Sequence, residues 1–268
     1  MSLTGLTARP LRVLQISDLH LCPEPGDVMG SGVDTDESLA QVLARVQQRE
    51  HPLDLVMVTG DLVHTPEGGA YRRLRRTLNR LPWPVHCLPG NHDEPDLMED
   101  TLVGDNIDCR KVIIRGDWLI LLLDSVVCGE SAGHLDDHEL ALLEETLSRH
   151  PARNALICLH HPVIPLGSAW MDRIGLANAH DLFLVIDAHP KVRAVLFGHA
   201  HREVNEMRNG VRLLGAPSTG VQFAPHTPEP RVDDLPPGYR HLELHADGRV
   251  QTRVEYLPQD IGLRRRAS

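Results

Sequence analysis

The sequence predicts an α/β fold, and three observations carry that prediction. Short apolar runs alternate with amphipathic segments through the first half of the chain. Five of those runs end in Asp, His or Asn. Turn signals between later runs imply hairpins, and hence a second, partly antiparallel sheet. LRVLQIS is an apolar run of strand length bounded by polar residues, and it runs into Asp18 and His20. The spacing then predicts a helix over 34–49, with Leu39, Val42, Leu43 and Val46 on one stripe behind an Asp-Thr-Asp start. LDLVMVTG is the next strand and ends at Asp61. A helix over 70–81 carries Arg72, Arg73, Arg75 and Arg76 on a solvated face. PVHCLPG leads to Asn91 and His92.

Runs at 111–115 and 118–124 flank Gly116-Asp117 and predict a hairpin. A helix over 136–149 turns Leu140, Leu143 and Leu147 inward, with acidic residues in its first turn. NALICL leads to His160, a helix follows over 178–188, and VRAVLFG leads to His199 and His201. Asn209-Gly210 and Asp247-Gly248 predict two more hairpins, and 225–237, with five prolines, an irregular surface loop. No internal repeat, low-complexity block or linker divides the chain, so 1–268 reads as a single domain.

Composition narrows the function classes. The chain is 41% hydrophobic, 24% charged and 3% aromatic, so its core rests on Leu, Val, Ile and Ala. Few aromatics and a net charge of −10 exclude a general nucleic-acid binder. The five cysteines, 22, 87, 109, 128 and 158, form no CxxC pair, which suits a reducing cytoplasm. MSLTGLTARP has no signal-peptide h-region, and no apolar stretch is long enough to span a membrane. Arg264, Arg265 and Arg266 read as a solvated tail. Assembly is open between a monomer and a homodimer.

In open α/β sheets ligands bind beyond the carboxyl ends of strands. Asp18, His20, Asp61, Asn91, His160, His199 and His201 all stand there, seven oxygen and nitrogen donors without a thiolate. One ion needs fewer. Two ions about 3.5–4 Å apart need roughly three ligands each and a bridging carboxylate. Asp61, alone after its strand, is the natural bridge. Asp18 and His20 stand at i and i+2, as do His199 and His201, and in extended chain each pair faces one way. Gly60, Gly90 and Gly198 precede three of the groups and let the backbone turn tightly. A lone Asp-x-His is ordinary turn chemistry; the five groups in order are what point to metal. The donor types suit Fe, Mn, Zn or Co.

Asp18-x-His20, Gly60-Asp61, Gly90-Asn91-His92-Asp93, His160-His161-Pro162 and Gly198-His199-Ala200-His201 resemble the calcineurin-like metallophosphoesterases over about residues 11–215. A narrower likeness extends through GSAWMD at 167–172, APSTGVQFAPH at 216–226 and Pro237-Gly238-Tyr239. It resembles the bacterial 3′,5′-cyclic AMP phosphodiesterases of the CpdA/Icc type.

The resemblance implies a four-layer α/β/β/α sandwich of two mixed sheets, with 216–268 completing the sheet and pocket rim. It implies one ion on Asp18, His20, Asp61 and His201, and a second on Asp61, Asn91, His160 and His199. It implies hydrolysis of cyclic AMP to 5′-AMP by a metal-activated hydroxide, lowering cellular cyclic AMP. His92, with Asn91, is the catalytic candidate: it would hydrogen-bond the phosphate or protonate the leaving oxygen, with Asp93 as an orienting partner. His20, Asp61, Asn91, His92 and His201 would meet the substrate phosphate. Two other functions compete, a broader phosphodiesterase such as a glycerophosphodiesterase and a non-catalytic scaffold.

The remaining histidines are set aside. His160 and His161 would face opposite ways on a strand, so at most one is a ligand. His51, His64, His86, His134, His138, His150, His180 and His189 read as surface or capping residues, and Asp124 as structural. Trp170, in a Gly- and Ser-flanked segment, and 218–226 are the candidate specificity elements, with Trp170 either shaping the pocket or anchoring the core and His226 either lining the pocket or bracing the proline-rich loop.

Overall fold

The computed structural model describes residues 9–27, 32–48 and 52–258. The expectations for the N-terminal decapeptide's first eight residues, for His51 and for the arginine tail lie outside them. The strands are β1 (Leu11–Ile16), β2 (Leu55–Thr59), β3 (Val85–Leu88), β4 (Ile107–Asp108), β5 (Val112–Arg115), β6 (Trp118–Leu122), β7 (Asn154–Cys158), β8 (Val192–Phe197), β9 (Val204–Arg208), β10 (Val211–Gly215), β11 (Gly238–Leu244) and β12 (Val250–Tyr256). They form two six-stranded mixed sheets, ordered β12-β11-β1-β2-β3-β4 and β5-β6-β7-β8-β10-β9. The runs β1-β2-β3-β4 and β6-β7-β8-β10 are parallel, and antiparallel hairpin strands lie outside them.

The helices are α1 (Thr35–Gln47), α2 (Gly68–Leu78), α3 (Pro95–Leu102), α4 (Asp137–Arg149), α5 (Ala169–Asp172) and α6 (Ala179–Ala188). Three apolar layers explain why the central strands read as unbroken hydrophobic runs. Leu14, Ile16, Val56 and Val58 pack with Leu39, Val42 and Leu74 of α1 and α2. Ala155, Ile157 and Val195 pack with Leu143, Leu147 and Leu182 of α4 and α6. Val13, Met57, Leu156, Cys158 and Leu196 fill the space between the sheets. Alternate side chains of one strand thus serve opposite layers, and the four-layer sandwich follows.

Polar side chains also tie sheet to sheet. Gln15 Nε2 donates to the Phe197 carbonyl at 3.1 Å. The buried Arg240 guanidinium donates to the carbonyls of Val204 and Gly215 at 2.9 and 2.8 Å. Burial pulls its pKa down to about 10.

Helix starts behave as their caps dictate. Asp34 and Asp136 accept from the Glu37 and Glu139 amides at 3.0 and 2.8 Å. Four elements depart from expectation. The Asp247-Gly248 hairpin extends the first sheet beside β1, not the second. The 70–81 helix starts earlier, at Gly68, and Arg73 clasps Asp36 at 2.8 Å, so that face is not simply solvated. Short α3 and α5 gave too little periodicity to be seen. His86 is a buried β3 residue paired with Asp108 at 2.7 Å; one His in an apolar run carries no signal of its partner.

Leu156, fully buried between the sheets, is expected to destabilise the fold by about 2–5 kcal/mol when cut to Ala. Met207→Ala, at 59% exposure on the edge strand β9, should change it by about 0.5 kcal/mol or less. Urea denaturation of both variants checks the contrast.

Candidate metal centre

All seven expected donors arrive at one end of the paired sheets. Asp18 and His20 follow β1, Asp61 follows β2, Asn91 follows β3, His160 follows β7, and His199 and His201 follow β8. Asp18, His20, Asp61, His160, His199 and His201 are all buried. The i, i+2 pairs converge by a different route from the one expected. Asp18, His20, Asp61, His199 and His201 have φ of 53, 46, 51, 62 and 46°, so the left-handed backbone, not a strand pleat, aims them. Leu19 and Ala200 stay buried between the paired ligands.

The donors form two sets around one oxygen. Asp61 Oδ2 lies 3.5 Å from His20 Nε2 and 3.3 Å from His160 Nε2. On one side His20 Nε2 is 3.1 Å from His201 Nε2, itself 3.3 Å from Asp18 Oδ1. On the other, His160 Nε2 is 3.2 Å from both Asn91 Oδ1 and His199 Nδ1. The Thr59 and Val221 carbonyls, 2.9 and 2.6 Å from Nδ1 of His160 and His201, can be met only by N–H. Both rings therefore turn a bare Nε2 lone pair inward.

That geometry fits cations. Imidazole nitrogens and carboxylate oxygens converge to 3.1–3.5 Å, Asp18 Oδ2 is buried without a partner among the described residues, and neither carboxylate has a Lys or Arg partner among them. Burial opposes the charge on Asp61, yet His160 and His20 hold its carboxyl well below the usual range. Burial alone would lower His160, but Asp61 raises it to about 9. His20, desolvated, falls to about 3. Two donor sets that meet at the Asp61 carboxylate suit a pair of divalent ions.

The glycines make room for ligands more than for ions. A Cβ on Gly90 would overlap the amide and Oδ1 of Asp61, one on Gly198 would overlap Ser17 Oγ, and one on Gly60 would overlap His160. Only Gly60 of the three also has a left-handed φ, 91°.

A cavity of about 250 Å³ opens on the cluster, with His20, Asp61, Asn91, His92, His199 and His201 at its base and Trp170, Met171, Ile174 and Phe223 as an apolar wall. All five expected phosphate contacts, His20, Asp61, Asn91, His92 and His201, line it. His92 donates its backbone N–H to Asp61 Oδ1 at 2.9 Å and its Nδ1–H to the His64 carbonyl at 2.8 Å.

Asp93 does not orient His92. It accepts from the amides of Leu62 and Gly90 and from Tyr71 at 3.1, 2.9 and 2.9 Å, which ties the loops after β2 and β3 together. His64, set aside on sequence, stacks on His92 at 5.3 Å and lines the cavity. Its position three residues after Asp61 was the only hint. His160 and His161 do not diverge, since the chain has left the strand; their rings stand 5.0 Å apart.

Trp170 lies in α5, 9% exposed, with its Nε1 3.3 Å from Thr227 Oγ1, so it is both core and cavity wall. The 218–226 segment is mostly brace: Ser218 Oγ donates to the Asp18 carbonyl at 2.7 Å, and Thr219 N to the Ser17 carbonyl at 3.1 Å. Phe223 alone of that segment reaches the cavity, stacked on His201 at 4.5 Å. His226 lines an outer groove instead.

The family model for the calcineurin-like phosphoesterases matches residues 11–203. The chain belongs to this family. It is 39% identical over 250 residues, 93% of this chain and 91% of the relative, to the 3′,5′-cyclic adenosine monophosphate phosphodiesterase CpdA of Haemophilus influenzae. It is 40% identical over 248 residues, 92% of this chain and 90% of the relative, to the protein of that name from Escherichia coli K12. The fold matches a dimetal phosphatase from Danio rerio with a TM-score of 0.65 and 17% identity, covering 92% of this chain and 99% of that one. Among the described residues no helix is long and apolar enough to cross a membrane.

Gly90→Ala should leave a folded protein whose Cβ displaces Asp61. Its ions should be lost to a chelator at about 10-fold lower concentration or less. Circular dichroism and metal analysis on the same sample check both halves.

Proposed function

We propose that this chain is a metal-dependent hydrolase that opens 3′,5′-cyclic AMP to 5′-AMP. The observation that carries the reading is Asp61, whose Oδ2 is shared by two donor sets and whose Oδ1 accepts the His92 backbone N–H. The curated relatives' names supply the substrate. On this reading Asp18, His20, Asp61 and His201 hold one ion, and Asp61, Asn91, His160 and His199 the other. Divalent Fe, Mn or Zn held there would make water nucleophilic near neutral pH and neutralise phosphate charge. We infer that the chain works as one domain, with β11 and β12 bracing the ligand-bearing strand β1.

The chain's own groups divide the remaining work. His92 has its Nδ1–H fixed on the His64 carbonyl, so its Nε2 is the nitrogen left for chemistry. As the bond from phosphorus to the 3′ oxygen breaks, His92 Nε2–H gives that oxygen its proton; water supplies the hydroxyl that phosphorus gains, and its other proton returns to His92 Nε2. His20, Asn91 and His201 stand around the position of the phosphate oxygens. The apolar wall of Trp170, Met171, Ile174 and Phe223 takes the nucleoside and keeps water from that side.

One feature favours a broader phosphodiesterase as the second reading. The indole N–H of Trp170 is already engaged by Thr227, so the wall offers shape without a hydrogen bond to a base. Rates on cyclic AMP, cyclic GMP, bis(p-nitrophenyl) phosphate and p-nitrophenyl phosphate, with Mn, Fe or Zn added to metal-free protein, decide between them. Cyclic AMP should give the highest kcat/KM. A higher value on bis(p-nitrophenyl) phosphate with every metal would assign the broader activity.

Protein purified without chelator should hold about two ions per chain, and Asp61→Ala should lose both, by elemental analysis. One ion per chain at full activity would remove the bridge.

His92→Ala should keep its metal while kcat on cyclic AMP falls about 10²–10⁴-fold. The loss should shrink on p-nitrophenyl esters, whose leaving group needs no proton. An equal loss on both would assign His92 to phosphate positioning.

A further inference from the structure

His199 presents Nδ1 to the cluster, 3.2 Å from His160 Nε2. An imidazole that ligates through Nδ1 carries its proton on Nε2, and that N–H needs an acceptor. His199 Nε2 is buried and has no hydrogen-bond partner among the described residues. The ring of His161 stands 5.0 Å away, centroid to centroid.

His161 has the complementary fault. Its Nδ1 is 2.8 Å from Ser125 Oγ, and a Cβ on Gly133 would overlap that nitrogen, so the Nδ1 side is pressed against the segment before α4. Its Nε2 is buried and likewise without a partner. A proton on Nδ1, directed to Ser125, leaves Nε2 as a bare acceptor. One ring nitrogen of His161 lies within 4.8 Å of ring nitrogens of both His160 and His199. Two buried, unpaired and complementary nitrogens on neighbouring rings satisfy each other at little expense; left apart, each would remain an uncompensated polar group.

We infer that His161 is a positioning residue for the second ion: it accepts the Nε2–H of His199 and fixes that ligand's tautomer and ring angle, with Ser125 holding His161 in turn. The inference rests on the two-ion reading. A direct ligand role for His161 fits less well. His160 Nε2 already stands within 3.3 Å of Asp61, Asn91 and His199 donors, whereas the hydrogen-bonded nitrogen of His161 turns away to Ser125.

The test uses the two-ion protein and the variants His161→Phe and His161→Gln. Chelator competition on the Mn-loaded proteins reads each ion's retention, melting of the metal-free forms reads packing, and the Co-loaded spectrum reads coordination number. His161→Phe keeps the ring's shape and loses the acceptor. Its second ion should leave at about 10–100-fold lower chelator activity, with the first ion and the metal-free melting point unchanged. His161→Gln, whose amide oxygen accepts, should recover part of that loss with an unchanged cobalt spectrum.

Wild-type retention of both ions in His161→Phe would overturn the inference. So would parallel loss of both ions with a lowered melting point, which assigns packing, or a changed coordination number in His161→Gln, which assigns a direct ligand. A wild-type protein that never holds two ions would overturn the two-ion reading along with it.

Discussion

The rest of the structure depends on one buried carboxylate. Asp61 is 2% exposed, has no Lys or Arg partner among the described residues, and turns one oxygen to imidazoles of both donor sets. A carboxylate so placed is stable only against concentrated positive charge. The fold answers with bare Nε2 lone pairs and a second carboxylate, Asp18, an arrangement that repels itself until cations enter.

The scaffold holds this arrangement by over-determining it. Five residues of the cluster adopt left-handed backbone, at about 1–3 kcal/mol each. Amides of one loop repay part of that by bonding the next: Asp18 N meets the Gly60 carbonyl at 3.0 Å, His20 N the Asp61 carbonyl at 2.9 Å, and Gly198 N the His160 carbonyl at 3.0 Å. Asp93 adds a carboxylate that gathers the loops after β2 and β3, and Ser218 reaches under Asp18 from beyond β10. The C-terminal hairpin β11–β12 extends the sheet on the far side of β1.

The cavity is divided between two kinds of wall, and the division follows the layers. The imidazole and carboxylate base comes from loops at the strand ends. The apolar side comes from α5 and its following turn, with Phe223 added from the brace. At His64, Asn91 and His92 the cavity adjoins a second one of about 460 Å³ with Glu94 and Asp96 on its lining. Negative charge there disfavours an anion, which leaves the cluster as the place for a phosphate.

The sequence by itself determined the strands that carry the cluster, the four longer helices, the hairpins and which seven polar side chains stand at the strand ends. Each of those is a local signal: periodicity, capping residues, turn dipeptides, and a polar residue where an apolar run stops. It also singled out Asp61 as the carboxylate between the two sets, because a lone carboxylate has no neighbour to share its place. Tertiary structure alone decided how the donors converge, since left-handed backbone at Asp18 or His199 depends on the loop packed against it. It also decided the partners of Asp93, the arrival of His64 and Phe223 in the cavity, and the placing of His161 beside His199. Those contacts join residues far apart in the chain or depend on which way a single ring turns, and no spacing in a sequence records either.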